Sequence, residues 1–65
     1  MKIIVNTKPH EVALTSLFAV LNELGFASPA IATAVNGVFV PREAREDTKL
    51  KDGDRLEVLS PMQGG

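Results

Sequence analysis

The sequence of 65 residues has no cysteine, tryptophan or tyrosine, and its three phenylalanines are its only aromatic residues. The absence of cysteine excludes a disulfide framework and a cysteine nucleophile, and it is typical of a reducing compartment. A chain this short builds one domain around one core. Burial of its hydrophobic residues, which make up 45% of the sequence, must therefore supply the stability.

The sequence also lacks a charge excess and a long apolar run. Seven Lys and Arg residues face eight Asp and Glu residues, so the net charge of −1 leaves no basic surface for a phosphate backbone. No apolar run approaches the ~18 residues of a membrane span, and the features of a signal peptide are missing. We therefore expect a cytoplasmic protein with no nucleic-acid partner and no membrane partner.

Residues that could carry catalysis or bind a metal are few. His10 is the only histidine, and its place in a short predicted strand indicates a solvated polar side chain. Asp47, Asp52 and Asp54 do not match the spacing of a calcium loop, and no glycine-rich phosphate-binding motif is present. We expect no catalytic residue, no metal site and no bound cofactor.

Alternating and β-branched runs predict five short strands. They cover residues 1–6, 10–13, 31–36, 38–40 and 55–60. Asn36-Gly37 favours a two-residue hairpin turn because both central positions need positive φ, and Asp52-Gly53-Asp54 predicts a turn before the last strand. In that strand Leu56 and Val58 face one side of the sheet, whereas Leu59 faces the other.

A helix of about ten residues is predicted after the second strand, because the apolar spacing changes there to steps of three and four. Thr15 is the expected N-cap. Gly25 suits the left-handed position after the last turn, from which Phe26 can pack back on Leu21. Residues 42–50 are polar and predict a loop with one helical turn at most. The predicted buried face of the helix contains Leu14, Leu17, Phe18, Leu21 and Leu24.

The order of these elements predicts an α+β fold in which the helix crosses one face of a mixed sheet of about five strands. This is the β-grasp arrangement, with the first and last strands central and parallel. The domain is expected over residues 1–60, followed by a flexible tail over residues 61–65 that ends in two glycines.

The tail has two interpretations on the residues alone. It is either a disordered end or a substrate for another enzyme, because Gly64 and Gly65 can enter a narrow channel at no steric cost. A terminal carboxylate reacts only after activation, for example as an acyl adenylate, in a site that excludes water. Leu59 and Met62 are candidates for an exposed apolar surface that docks a partner. The alternative is that residues 42–50 cover this side of the sheet.

Three segments together resemble the ThiS family, the sulfur carriers of thiamin biosynthesis in the ubiquitin-like β-grasp group. They are residues 34–42, which contain Asn36 followed by Val-Pro-Arg, residues 52–58, and the terminal Gly-Gly pair. The resemblance extends over the whole chain. One departure is that the family often has an aromatic residue shortly after Val-Pro-Arg, whereas this sequence continues Glu-Ala-Arg-Glu-Asp.

The resemblance implies that the protein is not an enzyme but a carrier on which partner enzymes act. Gly65 would be adenylated by a ThiF-like enzyme that consumes ATP, and then converted to a thiocarboxylate with sulfur from a cysteine-derived persulfide, such as that of a cysteine desulfurase. A ThiG-like thiazole synthase would pass this sulfur to the thiazole ring. Gly64 would act as the spacer. A separate hypothesis, based on strand alternation, is that Leu59 and Met62 help to dock these enzymes.

Two alternatives remain open at this point. The nearer is the sulfur carrier of molybdopterin synthesis, which shares the fold, the tail and the thiocarboxylate chemistry. The second is a β-grasp binding module without carrier chemistry, in which Gly64 and Gly65 would be incidental.

Overall fold

The computed structural model describes residues 1–26 and 30–60. Five strands form one mixed sheet in the order β2-β1-β5-β3-β4, and an α-helix lies across one face. The elements are β1 (Lys2–Val5), β2 (Lys8–Glu11), α1 (Leu17–Glu23), β3 (Ala32–Val35), β4 (Val38–Val40), a 3₁₀ helix (Arg42–Asp47) and β5 (Arg55–Leu59). The predicted β-grasp arrangement is confirmed.

The first and last strands lie side by side and parallel within the sheet, as predicted. Ile4 pairs with Arg55, and Val5 pairs with Leu56. The other neighbouring strands are antiparallel. Both β1 and β5 carry buried side chains on the helix side of the sheet, and residues of α1 belong to the same core. The buried strand residues on this side include Ile3, Val5, Thr33, Val40, Leu56 and Val58.

The first hairpin is tighter than predicted. Its turn consists of Asn6 and Thr7, which have φ values of 49° and 73°, and β2 already begins at Lys8 instead of residue 10. Positive φ at both central positions matches the twist of the two flanking strands. Val12 is buried just beyond the end of β2.

The start and the buried face of α1 differ from the prediction. The helix begins at Leu17, and Ser16 rather than Thr15 is the N-cap, since its hydroxyl accepts a hydrogen bond from the Ala19 amide at 3.2 Å. Leu14 and Phe18 are both 48% exposed, so they do not belong to the core. Apolar residues at steps of three and four fit two neighbouring stripes along this helix. Contact with the sheet decides which of the two stripes is buried. The buried stripe contains Leu17, Val20 and Leu21.

The end of α1 follows the prediction. Gly25 has a φ of 92°, and its amide donates to the Asn22 carbonyl at 3.1 Å. The Phe26 amide donates to the Leu21 carbonyl at 2.8 Å, which completes the paired hydrogen bonds of a Schellman motif. Phe26 is half-buried and packs against the core.

The segment from residue 42 to residue 50 is more ordered than the predicted polar loop. A 3₁₀ helix occupies Arg42–Asp47 and contacts α1, and Leu50 is buried. Arg45 is only 6% exposed, and its Nη2 donates to the Ile31 carbonyl at 2.6 Å. Within the described residues, Arg45 Nε has no hydrogen-bond partner. This segment therefore lies against the helix instead of covering the opposite face of the sheet.

Candidate functional site: the end of the last strand and the outer sheet face

The last strand is held on both sides close to its end, by β3 as far as Leu59 and by Asn6 at Val58. On one side β5 pairs with β3 as far as Leu59, which lies opposite Ala32. On the other side β1 turns away after Val5, and the Asn6 side chain continues the contact. Its Oδ1 accepts from the Val58 amide at 2.9 Å, and its Nδ2 donates to the Val58 carbonyl at 3.1 Å. The end of β5 therefore projects from a fixed point of the sheet.

The face of the sheet opposite α1 carries an apolar patch beside this point. Strand register places Ala34 opposite Phe39 and Ala32 opposite Leu59, so the four side chains lie on one face. Phe39 is 65% exposed and Leu59 is 68% exposed, and the two alanines between them are too short to cover either. We call these four residues the outer-face patch. Exposed apolar side chains in a contiguous group are typical of a protein-binding surface.

The structure describes one of the four predicted site residues. Leu59 points away from the helix, as the alternation in β5 predicts, and the 3₁₀ helix does not cover it. Met62, Gly64 and Gly65 lie outside the described residues. Phe39 was not singled out by the sequence, although its position between Val38 and Val40 in a strand after a two-residue turn indicates the outer face.

Asp54 links the turn before β5 to the hairpin formed by β3 and β4. Its carboxylate accepts from the Lys51 amide at 2.8 Å and from Asn36 Nδ2 at 3.1 Å. Asn36 Oδ1 in turn accepts from the Arg55 amide at 2.9 Å. The pKa of the Asp54 carboxyl is lowered, chiefly by the hydrogen bond from the Lys51 amide, against an opposing effect of burial. This network aligns the start of β5 with β3.

Replacing Asp54 by Asn is expected to lower the free energy of unfolding by about 1–2 kcal/mol at pH 7, because one of two acceptor oxygens becomes a donor facing other donors. The lowered pKa also predicts that the contribution of Asp54 to stability is fully present above its unfolded-state pKa of about 3.9 and is lost as the pH falls through its folded-state pKa. Urea denaturation at pH 7 and at pH 3 measures both effects. The gap between wild type and variant should shrink at pH 3, and a constant gap would contradict this role of Asp54.

The remaining candidates for chemistry are dispersed. His10 is exposed on β2, at the edge of the sheet opposite β4. In residues 1–26 and 30–60, no three His, Asp or Glu side chains lie close enough to hold a metal ion. Over the same residues, no helix is long and apolar enough to cross a membrane. The features that the structure brings together are thus the end of β5 and the outer-face patch.

Comparison with protein families identifies the family of this chain. The family model described as the ThiS family matches residues 3–65, which include Leu59, Met62 and both terminal glycines. The chain belongs to the ThiS family. The resemblance carried by the Val-Pro-Arg segment, the Asp-Gly-Asp turn and the Gly-Gly pair is therefore confirmed.

Solved structures support the same family assignment. The crystal structure of the thiamine biosynthesis protein ThiS from Geobacter metallireducens is 36% identical, with a TM-score of 0.86 and full coverage of both chains. A solution structure of a thiamine biosynthesis protein from the same organism has a TM-score of 0.82, also at 36% identity, and the match covers all of this chain and 88% of that one. Among curated sequences, the uncharacterised protein ycf40 of Pyropia yezoensis is 38% identical over 50 residues, or 77% of this chain and 70% of that protein.

Proposed function

We propose that this ThiS-family chain is a sulfur carrier whose C-terminal Gly65 is adenylated and then converted to a thiocarboxylate for the thiazole ring of thiamin. The observation that carries the proposal is the family match through residue 65, in a chain similar over its full length to a thiamine biosynthesis protein. The chain acts as a cosubstrate of its partner enzymes and supplies no catalytic residue. ATP is consumed by the adenylating partner, and no cofactor belongs to the carrier.

The chemistry requires the tail to leave the domain and enter an active site. A carboxylate is a poor electrophile, and the mixed anhydride with AMP makes its carbonyl reactive. That anhydride is lost if water reaches it, so the adenylating enzyme must enclose the last residues. Gly64 and Gly65 suit this because their backbone can approach the walls of a channel without a side chain. The end of β5, held by Ala32 and Asn6, provides the fixed base from which the tail reaches.

The partners would dock on the outer-face patch. Leu59 and Phe39 offer exposed apolar area next to the end of β5, and Met62 would extend this surface into the tail. A ThiF-like adenylyltransferase would bind first. A sulfur donor such as a cysteine desulfurase persulfide and a ThiG-like thiazole synthase would follow. We place these steps in the cytoplasm, where the cysteine-free sequence needs no oxidising compartment.

The intact mass of the protein purified from its native host tests the proposal. Replacement of one terminal oxygen by sulfur adds about 16 Da. Fragment ions must place this gain on Gly65, because oxidation of Met1 or Met62 produces almost the same shift. We expect the gain on Gly65 after incubation with ATP, the adenylating partner, a persulfide donor and a thiol, because the persulfide displaces AMP to form an acyl disulfide that the thiol must reduce to the thiocarboxylate. No gain under these conditions would contradict carrier function.

A further inference from the structure

The two edge strands of the sheet differ in their capacity to accept another strand. β2 is an edge strand in which all four residues, Lys8–Glu11, are exposed. Val5 and Lys8 flank a two-residue turn and form a hydrogen-bonded pair, so Pro9 is the next residue whose backbone faces outward. Proline has no amide hydrogen to donate. This edge is therefore protected by proline and charge, as edges commonly are.

The β4 edge also meets a proline, because Pro41 follows Val40 at the next outward position, but its strand residues carry no charge. Val35 and Val38 flank the Asn36-Gly37 turn as a hydrogen-bonded pair, so the next pair, Ala34 and Phe39, is not hydrogen-bonded. The Asn36 amide donates to the Arg55 carbonyl at 2.8 Å, which independently turns the even-numbered backbone groups of β3 toward β5. The amide and carbonyl of Phe39 consequently point away from the sheet.

The side chains along this edge are apolar and exposed. Val38 is 67% exposed on the helix side, and Phe39 is 65% exposed on the outer face. The strand Val38–Val40 carries no charge. An outward donor and acceptor between exposed apolar side chains is the pattern that an added strand recognises.

We infer that the β4 edge receives an extended, uncharged segment of the adenylating partner as a sixth strand of the sheet. This inference rests on the proposed function, and it adds a main-chain contact to the side-chain surface described above. A second copy of this chain fits less well, because a strand of three residues covers far less than the roughly 800 Å² per partner of a standard interface. The enzyme can cover more, because Phe39 belongs both to this edge and to the outer-face patch.

Strand addition at this position would also set the geometry of the tail. β4 pairs with β3, and β3 pairs with β5 up to the Ala32–Leu59 pair. A partner strand bonded to Phe39 is thereby held in register with the end of β5. Pairing at β4 would thus fix the position of the end of β5 relative to the enzyme. The glycines would enter the active site from that position.

A single methyl group on the Phe39 amide nitrogen tests the inference. A chain of 65 residues is accessible to chemical synthesis, and this change removes the outward donor while keeping the Phe39 side chain. The matched control is the same methylation at Glu11, whose amide points outward from the protected edge, since its neighbour Val12 is bonded to Met1. Neither amide is used within the sheet, so both chains should keep the wild-type thermal midpoint.

The readout is the affinity of each chain for the purified ThiF-like enzyme. We expect the Phe39-methylated chain to bind about tenfold more weakly than wild type and the Glu11-methylated chain to bind like wild type. Equal affinity of all three chains, or equal loss at both edges, would overturn the inference. A wild-type dimer that is lost only on Phe39 methylation would assign the edge to a second copy and would also overturn it. A wild-type chain that binds the enzyme but is not adenylated would contradict the proposed function instead.

Discussion

Removal of Gly64 and Gly65 is expected to reduce sulfur transfer to the background level measured without carrier. The reacting carboxylate would then belong to Gln63, whose side chain and shorter reach would keep it from the enclosed site in which the acyl adenylate forms. All five strands and α1 lie within residues 1–26 and 30–60, so the fold should remain. ATP-dependent release of pyrophosphate with the ThiF-like enzyme measures the loss.

The full-length chain with a C-terminal carboxamide at Gly65 is the matched control for this truncation. It keeps both glycines and loses only the carboxylate, so it should also fail to release pyrophosphate while competing with wild type for the enzyme. Activity of either variant near the wild-type level would show that Gly65 is not the reacting residue. Loss of chemistry with retained binding separates a carrier from a binding module, which needs no terminal carboxylate.

Leu56→Ala is expected to lower the free energy of unfolding by about 2–5 kcal/mol. Leu56 is 0% exposed, and it packs on the helix side of β5, where truncation leaves a cavity in the only core that so small a domain can build. A domain has about 5–15 kcal/mol of total stability, so this loss is a large fraction of it. Urea denaturation followed by circular dichroism measures the change.

Leu59→Ala is the matched control, because it is the same substitution three residues further along the same strand. Leu59 is 68% exposed, so the cost in stability should stay within about 0.5 kcal/mol. Its free energy of binding to the ThiF-like enzyme should instead weaken by more than about 1 kcal/mol, as for a residue at the centre of an interface. Equal losses of stability in the two variants would contradict the assignment of faces, and wild-type affinity of Leu59→Ala would contradict the docking role of the patch.

Local patterns predicted the elements whose geometry depends on neighbouring residues. The Asn36-Gly37 turn forms as expected because its two residues have the positive φ that a two-residue hairpin needs, at 51° and 84°. The end of α1 forms at Gly25 for a related reason. The alternation of Leu56 and Val58 against Leu59 was likewise readable, since the period of a strand is two.

Elements whose environment comes from distant residues were misread. The N-cap of α1 is Ser16 instead of the predicted Thr15, and Phe18 is exposed instead of buried. The position of this helix is determined by an isolated bridge between Ser16 and Lys49 and by contact with the 3₁₀ helix. Arg45 belongs to the segment that was predicted as a polar loop, and it is buried instead. Its long side chain crosses to the Ile31 carbonyl, a partner that no local pattern indicates.

The sequence by itself determined the family, the order of the elements and the terminal Gly-Gly pair, because these depend on residue types and on spacings along the chain. Only the tertiary structure decided which surface lies beside the end of β5. The outer-face patch combines Phe39 from one hairpin with Leu59 from the last strand, and their common face follows from pairing through β3. The open edge at β4 was decided in the same way, because a strand becomes an edge only through the neighbours it lacks.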